Sequence, residues 1–154
     1  MMRNNSLIDS IRNAIDGLIH AVRTQRTLAI QLVLASIVLG IALGLIGLER
    51  FEPWRFALLL FTIFFVLGSE LLNTCLETIL DLITEEHHAW VKKAKDLSAA
   101  LALWAAVGSM FIGVALFWEP LGIPVAIGPI LITVGVVLIV LFGLLLLLGR
   151  RLLR

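Results

Sequence analysis

The polar and apolar positions of this chain fall into blocks, and the blocks change character along its length. From Ile8 to Val22 the apolar residues Ile8, Ile11, Ile15, Leu18 and Val22 recur at helical spacing. Arg12, Asn13, Asp16, His20 and Arg23 take the positions between them. That pattern predicts an amphipathic helix. Ser6 stands where a cap belongs, and Ser6 to Asp9 has the spacing of a capping box with Asp in place of Glu. The segment is too polar to span a bilayer and suits its interface. Four long apolar runs follow: Leu28 to Leu48, Phe56 to about Asp81, Leu97 to Trp118, and Leu121 to about Gly149. Each reaches the roughly 20 residues that a spanning helix needs. The expected fold is therefore an all-α membrane protein. Its organisation reads as an interfacial helix over residues 1–26, a core over 27–118, and an additional C-terminal transmembrane segment over 119–154.

Composition supports this class. Of 154 residues, 60% are hydrophobic, more than the half expected of a soluble domain. The net charge of +1 gives no footing for nucleic-acid binding. Cys75 is the single cysteine and cannot form an intrachain disulfide. The N-terminus lacks the apolar core of a signal peptide. Positive charge sets the orientation. With the N-terminus inside, ten of the 12 Lys and Arg residues are cytoplasmic, and only Arg50 and Arg55 fall outside. The connection "TEEHHAWVKKAK", with Lys95 at its end, is then cytoplasmic. Trp54 and Trp118 fall at the outer interface.

The second run contains an anomaly. After "FALLLFTIFFVL" the chain reads "GSELLNTCLETILD", which places Glu70, Asn73, Glu77 and Asp81 in a segment built for hydrocarbon. A carboxylate at the centre of a spanning helix costs on the order of 2.5 kcal/mol or more. The four residues are separated by three, four and four positions, so they share one helix face. Such a face must look into protein, a cavity or water. Three readings compete. The groups could hold neighbouring helices together, although one or two polar residues would suffice for that. They could pass cations or protons. They could form a catalytic site with metal and phosphate, since Mg²⁺ takes carboxylates and phosphoryl transfer needs a group to position the attacking hydroxyl. Glu85, Glu86, His87, His88, Lys95 and Asp96 follow in the compartment that holds ATP. No GxxxxGK[ST] loop is present, so a P-loop enzyme is excluded as far as motifs exclude it. Two adjacent histidines without HExxH give little ground for zinc.

The stretch "SELLNTCLETILDLITEEHHAWVKKAKDLSAA" resembles the signature of the small integral-membrane lipid kinases, the prokaryotic diacylglycerol kinase and undecaprenol kinase family. The pattern runs from Glu70 through Asn73, Glu77 and Asp81 to Lys95 and Asp96, with Ala99 and Ala100 behind. "AIDGLIHAVRTQR" resembles, more loosely, the family's surface helix, and the likeness covers about Leu7 to Trp118. It implies ATP- and Mg²⁺-dependent phosphorylation of the hydroxyl of a membrane lipid alcohol, of diacylglycerol or undecaprenol type, at the cytoplasmic leaflet of the bacterial inner membrane. It implies Glu70 as the base on the lipid hydroxyl and Glu77 as a ligand of the Mg²⁺ that accompanies ATP. Glu86, His87 and His88 would meet the nucleotide, with Lys95 and Asp96 on its phosphate and ribose side, and Asn73 and Asp81 in support. It also implies a surface helix plus three spans, assembled as a homotrimer with shared sites. The chain departs from the pattern twice. Gln25, in "RTQRTLAIQ", stands where the family often has a second metal-ligating glutamate. The run from Leu121 to Arg154 is an extension. The opposing expectation is a catalytically weak or inactive relative that serves as a membrane scaffold or an ion-conducting bundle.

Overall fold

The computed structural model describes residues 6–83 and 89–124, together with 127, 130, 133–137 and 140. Every regular element among the described residues is a helix: α1 (Leu7–Thr24), α2 (Arg26–Gly47), α3 (Pro53–Ile83) and α4 (Ala89–Phe117). The last three are long and apolar enough to cross a membrane, and the chain is an all-α membrane protein. The fourth expected span, Leu121 to Gly149, lies largely outside the described residues; 133–137 within it are helical. The described chain forms two compact units, Met1–Ile41 with Ile63–Ala106, and Ala42–Thr62 with Val107–Arg154.

In the first unit, α1 begins where its cap is written. Ser6 is extended, at φ −150 and ψ 157, and its hydroxyl accepts from the Asp9 backbone N–H at 3.2 Å. The same hydroxyl donates to Asp9 Oδ2 at 2.8 Å. Aspartate is one methylene shorter than the glutamate of a full capping box, and here it reaches the serine side chain. Ile8, Ile11, Ile15 and Leu18 are exposed along one stripe of α1. α1 ends at a one-residue break. Gln25 leaves helical geometry at φ −104 and ψ 103. Its N–H still closes α1 on the Ala21 carbonyl at 2.8 Å, and its own carbonyl accepts from Ala29 N–H at 3.2 Å to start α2. One residue thus ends one helix and opens the next.

In the second unit, the chain turns from α2 to α3 through a left-handed residue, Glu49 at φ 59. Arg50 N–H reaches the Leu45 carbonyl and Glu49 N–H the Ile46 carbonyl, both at 2.9 Å, which is the hydrogen-bond pair of a Schellman cap. α3 then starts at Pro53, where the missing N–H is an orphan in any case. Arg55 is buried and donates to the Leu116 carbonyl at 2.9 Å and to Glu119. Its guanidinium lies 5.0 Å from the Trp54 ring centroid. In the same unit, Phe51 and Phe117 pack with ring centroids 5.0 Å apart and planes tilted by 36°.

Candidate functional site

Within the first unit, α2, α3 and α4 surround a cleft of about 330 Å³. Its walls come from the helical repeat. Thr27 and Gln31 are one turn apart on α2; Glu70, Asn73 and Glu77 lie along one face of α3; Ala99, Ala102, Leu103 and Ala106 lie along one face of α4. Gln25 joins them from the break between α1 and α2. The alanines carry little beyond Cβ, and small residues let helix backbones approach. The cleft thus has a polar side supplied by α2 and α3 and an apolar side supplied by α4. Along α3, Glu70 and Glu77 are two turns apart, roughly 10 Å of helix rise. The two carboxylates therefore occupy different depths.

The polar residues are individually oriented. Glu70 is buried, at 6% exposure. Gln31 Nε2 donates to Glu70 Oε2 at 3.4 Å. Thr74 Oγ1 donates to the Glu70 carbonyl at 3.0 Å, so that hydroxyl is spent on the backbone. Asn73 is held at both ends of its amide. Its Oδ1 accepts from Ser98 Oγ at 2.7 Å, and its Nδ2 donates to Glu77 Oε1 at 3.2 Å. Ser98 is itself buried, and its hydroxyl lies 2.9 Å from the Lys95 carbonyl. A relay therefore runs from Ser98 on α4 through Asn73 to Glu77. Lys95 pairs with Asp81, tying α4 to the end of α3.

Of the residues singled out from sequence, Gln25, Glu70, Asn73 and Glu77 meet in the cleft. Lys95 and Asp81 meet each other and do not line it. Asp96 is exposed and does not line it either. Glu86, His87 and His88 lie outside the described residues. Several residues of the site escaped the sequence reading, among them Gln31 and Ser98. Gln31 lies within the apolar run Leu28 to Leu48, where the pattern marks only a span. Ser98 stands just before the alanine pair of the motif and gave no signal of its own, because serine is common in spanning helices.

Magnesium fits these residues in a limited sense. Among the described residues no group of three His, Cys, Asp or Glu side chains could hold a metal ion, so a dedicated protein cage is absent there. Mg²⁺ bound with a nucleotide needs less, one or two carboxylates beside phosphate and water. Glu77, with one oxygen engaged by Asn73, and Gln25, with its amide oxygen, stand in one cleft and meet that lesser requirement.

Residues 12–117 match the family model for prokaryotic diacylglycerol kinase. A protein named diacylglycerol kinase from Synechocystis is 35% identical over 117 residues, covering 75% of this chain and 65% of that protein. The match thus leaves about a third of that relative's length without a counterpart. A protein named undecaprenol kinase from Bacillus subtilis is 37% identical over 113 residues, covering 73% of this chain and 89% of that protein. No solved structure matches with significance.

Proposed function

The chain belongs to the prokaryotic diacylglycerol kinase family, and from that premise we propose that it transfers the γ-phosphoryl group of ATP to the hydroxyl of a membrane lipid alcohol. The observation that carries the reading is the convergence of Gln25, Glu70, Asn73 and Glu77 on one cleft. Glu70, deep on α3, takes the proton of the lipid hydroxyl. The lipid oxygen forms its bond to the γ-phosphorus, the bond from that phosphorus to the β–γ bridging oxygen breaks, and ADP leaves with the electron pair. Asn73 orients Glu77 through the hydrogen bond described above. Glu77, with Gln25 beside it, would hold a Mg²⁺ ion that neutralises phosphate charge. Lys95, Asp96 and the segment with Glu86, His87 and His88 would meet the nucleotide, and Asp81 holds Lys95 in place.

The reading includes a setting. The reaction takes place at the cytoplasmic leaflet of a bacterial inner membrane, with the N-terminus and the Lys95 segment inside, and the assembly is a homotrimer with shared sites. The substrate is of the diacylglycerol or undecaprenol type; selectivity between them belongs to the apolar side of the cleft. Purified protein is tested with Mg²⁺-ATP and a panel of lipid alcohols containing both. Labelling of at least one is expected, and labelling of none would sink the proposal. One observation favours the alternative of a weak or inactive relative acting as a scaffold or ion-conducting bundle: an amide, Gln25, stands at the second metal position. Light scattering of the detergent-solubilised protein checks the trimer, which a monomeric mass would overturn.

A further inference from the structure

Gln31 is a polar residue of α2 that lines the cleft and that the proposed reaction does not use. Its amide has two ends with different fates. Nε2 lies 3.4 Å from Glu70 Oε2. Oε1 is buried and has no hydrogen-bond partner among the described residues. An amide N–H donates and a carboxylate oxygen accepts, so the nitrogen is the end that faces Glu70. Among the described residues, the Glu70 carboxylate is the hydrogen-bond partner of the Gln31 amide. The converse also holds. Gln31 is the described side chain that hydrogen-bonds the Glu70 carboxylate, and it occupies Oε2. The other oxygen, Oε1, is left for the cleft. At 3.4 Å the contact is at the long end for an N–H···O bond.

We propose that Gln31 is a positioning residue for Glu70. From α2 it pins one carboxylate oxygen and so fixes which oxygen receives the proton of the lipid hydroxyl. This inference rests on the reading of Glu70 as the base. It assigns a second helix to the orientation of that base, which the α3 motif does not contain.

The test uses full-length protein in lipid or detergent, with Gln31→Met, which keeps the length of the side chain and cannot donate. Loss of a hydrogen bond to a charged group is expected to lower kcat about tenfold to a hundredfold. KM for ATP and for the lipid should stay within about twofold, because only an interaction used in the reacting state has been removed. A second arm repeats the substitution in a Glu70→Asp background, where the shortened carboxylate no longer reaches Gln31. There Gln31→Met should change kcat by less than about twofold. A wild-type kcat in the single variant overturns the proposal, as does a loss carried by KM or an equal loss in both backgrounds. If Gln31→Met does not assemble, Gln31→Leu takes its place, and failure of both to assemble assigns Gln31 to the fold and overturns the proposal. Glu70→Gln separates this idea from the one beneath it. Normal turnover in Glu70→Gln would remove the base reading itself, whereas an inactive Glu70→Gln beside a fully active Gln31→Met removes only the role of Gln31.

Discussion

Gln25 carries the sharpest question at the scale of single residues. Its backbone ends α1 and opens α2, and its side chain enters the cleft that Glu77 lines. An amide oxygen offers a dipole where a carboxylate would offer a full charge, and a hard dication is held mainly by charge. Gln25→Glu is expected to lower the Mg²⁺ concentration for half-maximal turnover several-fold. It should likewise tighten binding of Mg²⁺-ADP measured by calorimetry without turnover. No change in either would remove Gln25 from the metal side of the site. For Glu70 the expected outcome is different: Glu70→Gln should lose nearly all turnover and still bind nucleotide, because the base is two turns from Glu77. Retained turnover would end its assignment as base. Glu70, Asn73 and Glu77 were legible in the sequence because carboxylates at helical spacing in an apolar run have few innocent explanations. Gln31 was not, since one amide in a span reads as tolerated polarity until its partner across the helices is known.

At the scale of elements, helix type was legible and helix ends were less so. Hydropathy marks where a helix meets hydrocarbon, and it does not mark where the helix starts. α4 begins at Ala89, well before Leu97, because nothing between them breaks a helix. α3 begins at Pro53, where the ring's fixed φ already suits a first turn. The caps show the same chemistry handled twice. The turn after α4 places Gly122 at φ 73, with Ile123 N–H on the Trp118 carbonyl at 2.8 Å. The turn after α2 makes the same kind of cap with Glu49 at φ 59. A residue with a Cβ is penalised there by about 1 kcal/mol. Glu49→Gly should therefore raise the thermal midpoint, offset in part by the greater freedom of glycine in the unfolded chain; an unchanged or lower midpoint would show that Glu49 makes a compensating contact. Ser98 acts between elements. Ser98→Ala removes the donor that holds Asn73, and Asn73 in turn holds Glu77. At about 1 kcal/mol for one such bond, the KM for Mg²⁺-ATP should rise roughly fivefold. A rise of similar size in Asn73→Ala, with no further rise in the double variant, would confirm the relay; additive effects would break it.

For the whole molecule, the least legible feature was which apolar side chains pack against protein and which face lipid. After Arg26, α2 carries only Thr27, Gln31 and Ser36 as polar residues, and so apolar a helix offers little stripe to read. Leu28 and Ala42 are buried while Val33 and Leu34 are exposed, although all four belong to one apolar run. Charge, in contrast, is asymmetric enough to state an orientation. Of the two cations expected outside, Arg55 is buried against the Leu116 carbonyl and Glu119, which leaves Arg50 as the exposed one of that pair. The orientation is testable with one thiol at a time, because Cys75 is the only native cysteine. In a Cys75→Ser background, Trp90→Cys and Leu48→Cys place a thiol at exposed positions next to α4 and α2 termini. A membrane-impermeant maleimide should label the position-90 thiol in inverted vesicles and not in right-side-out cells, and the position-48 thiol in the reverse pattern. The opposite result would turn the chain over, move the Glu77 end of the cleft away from the ATP-containing compartment, and with it remove the reaction proposed above.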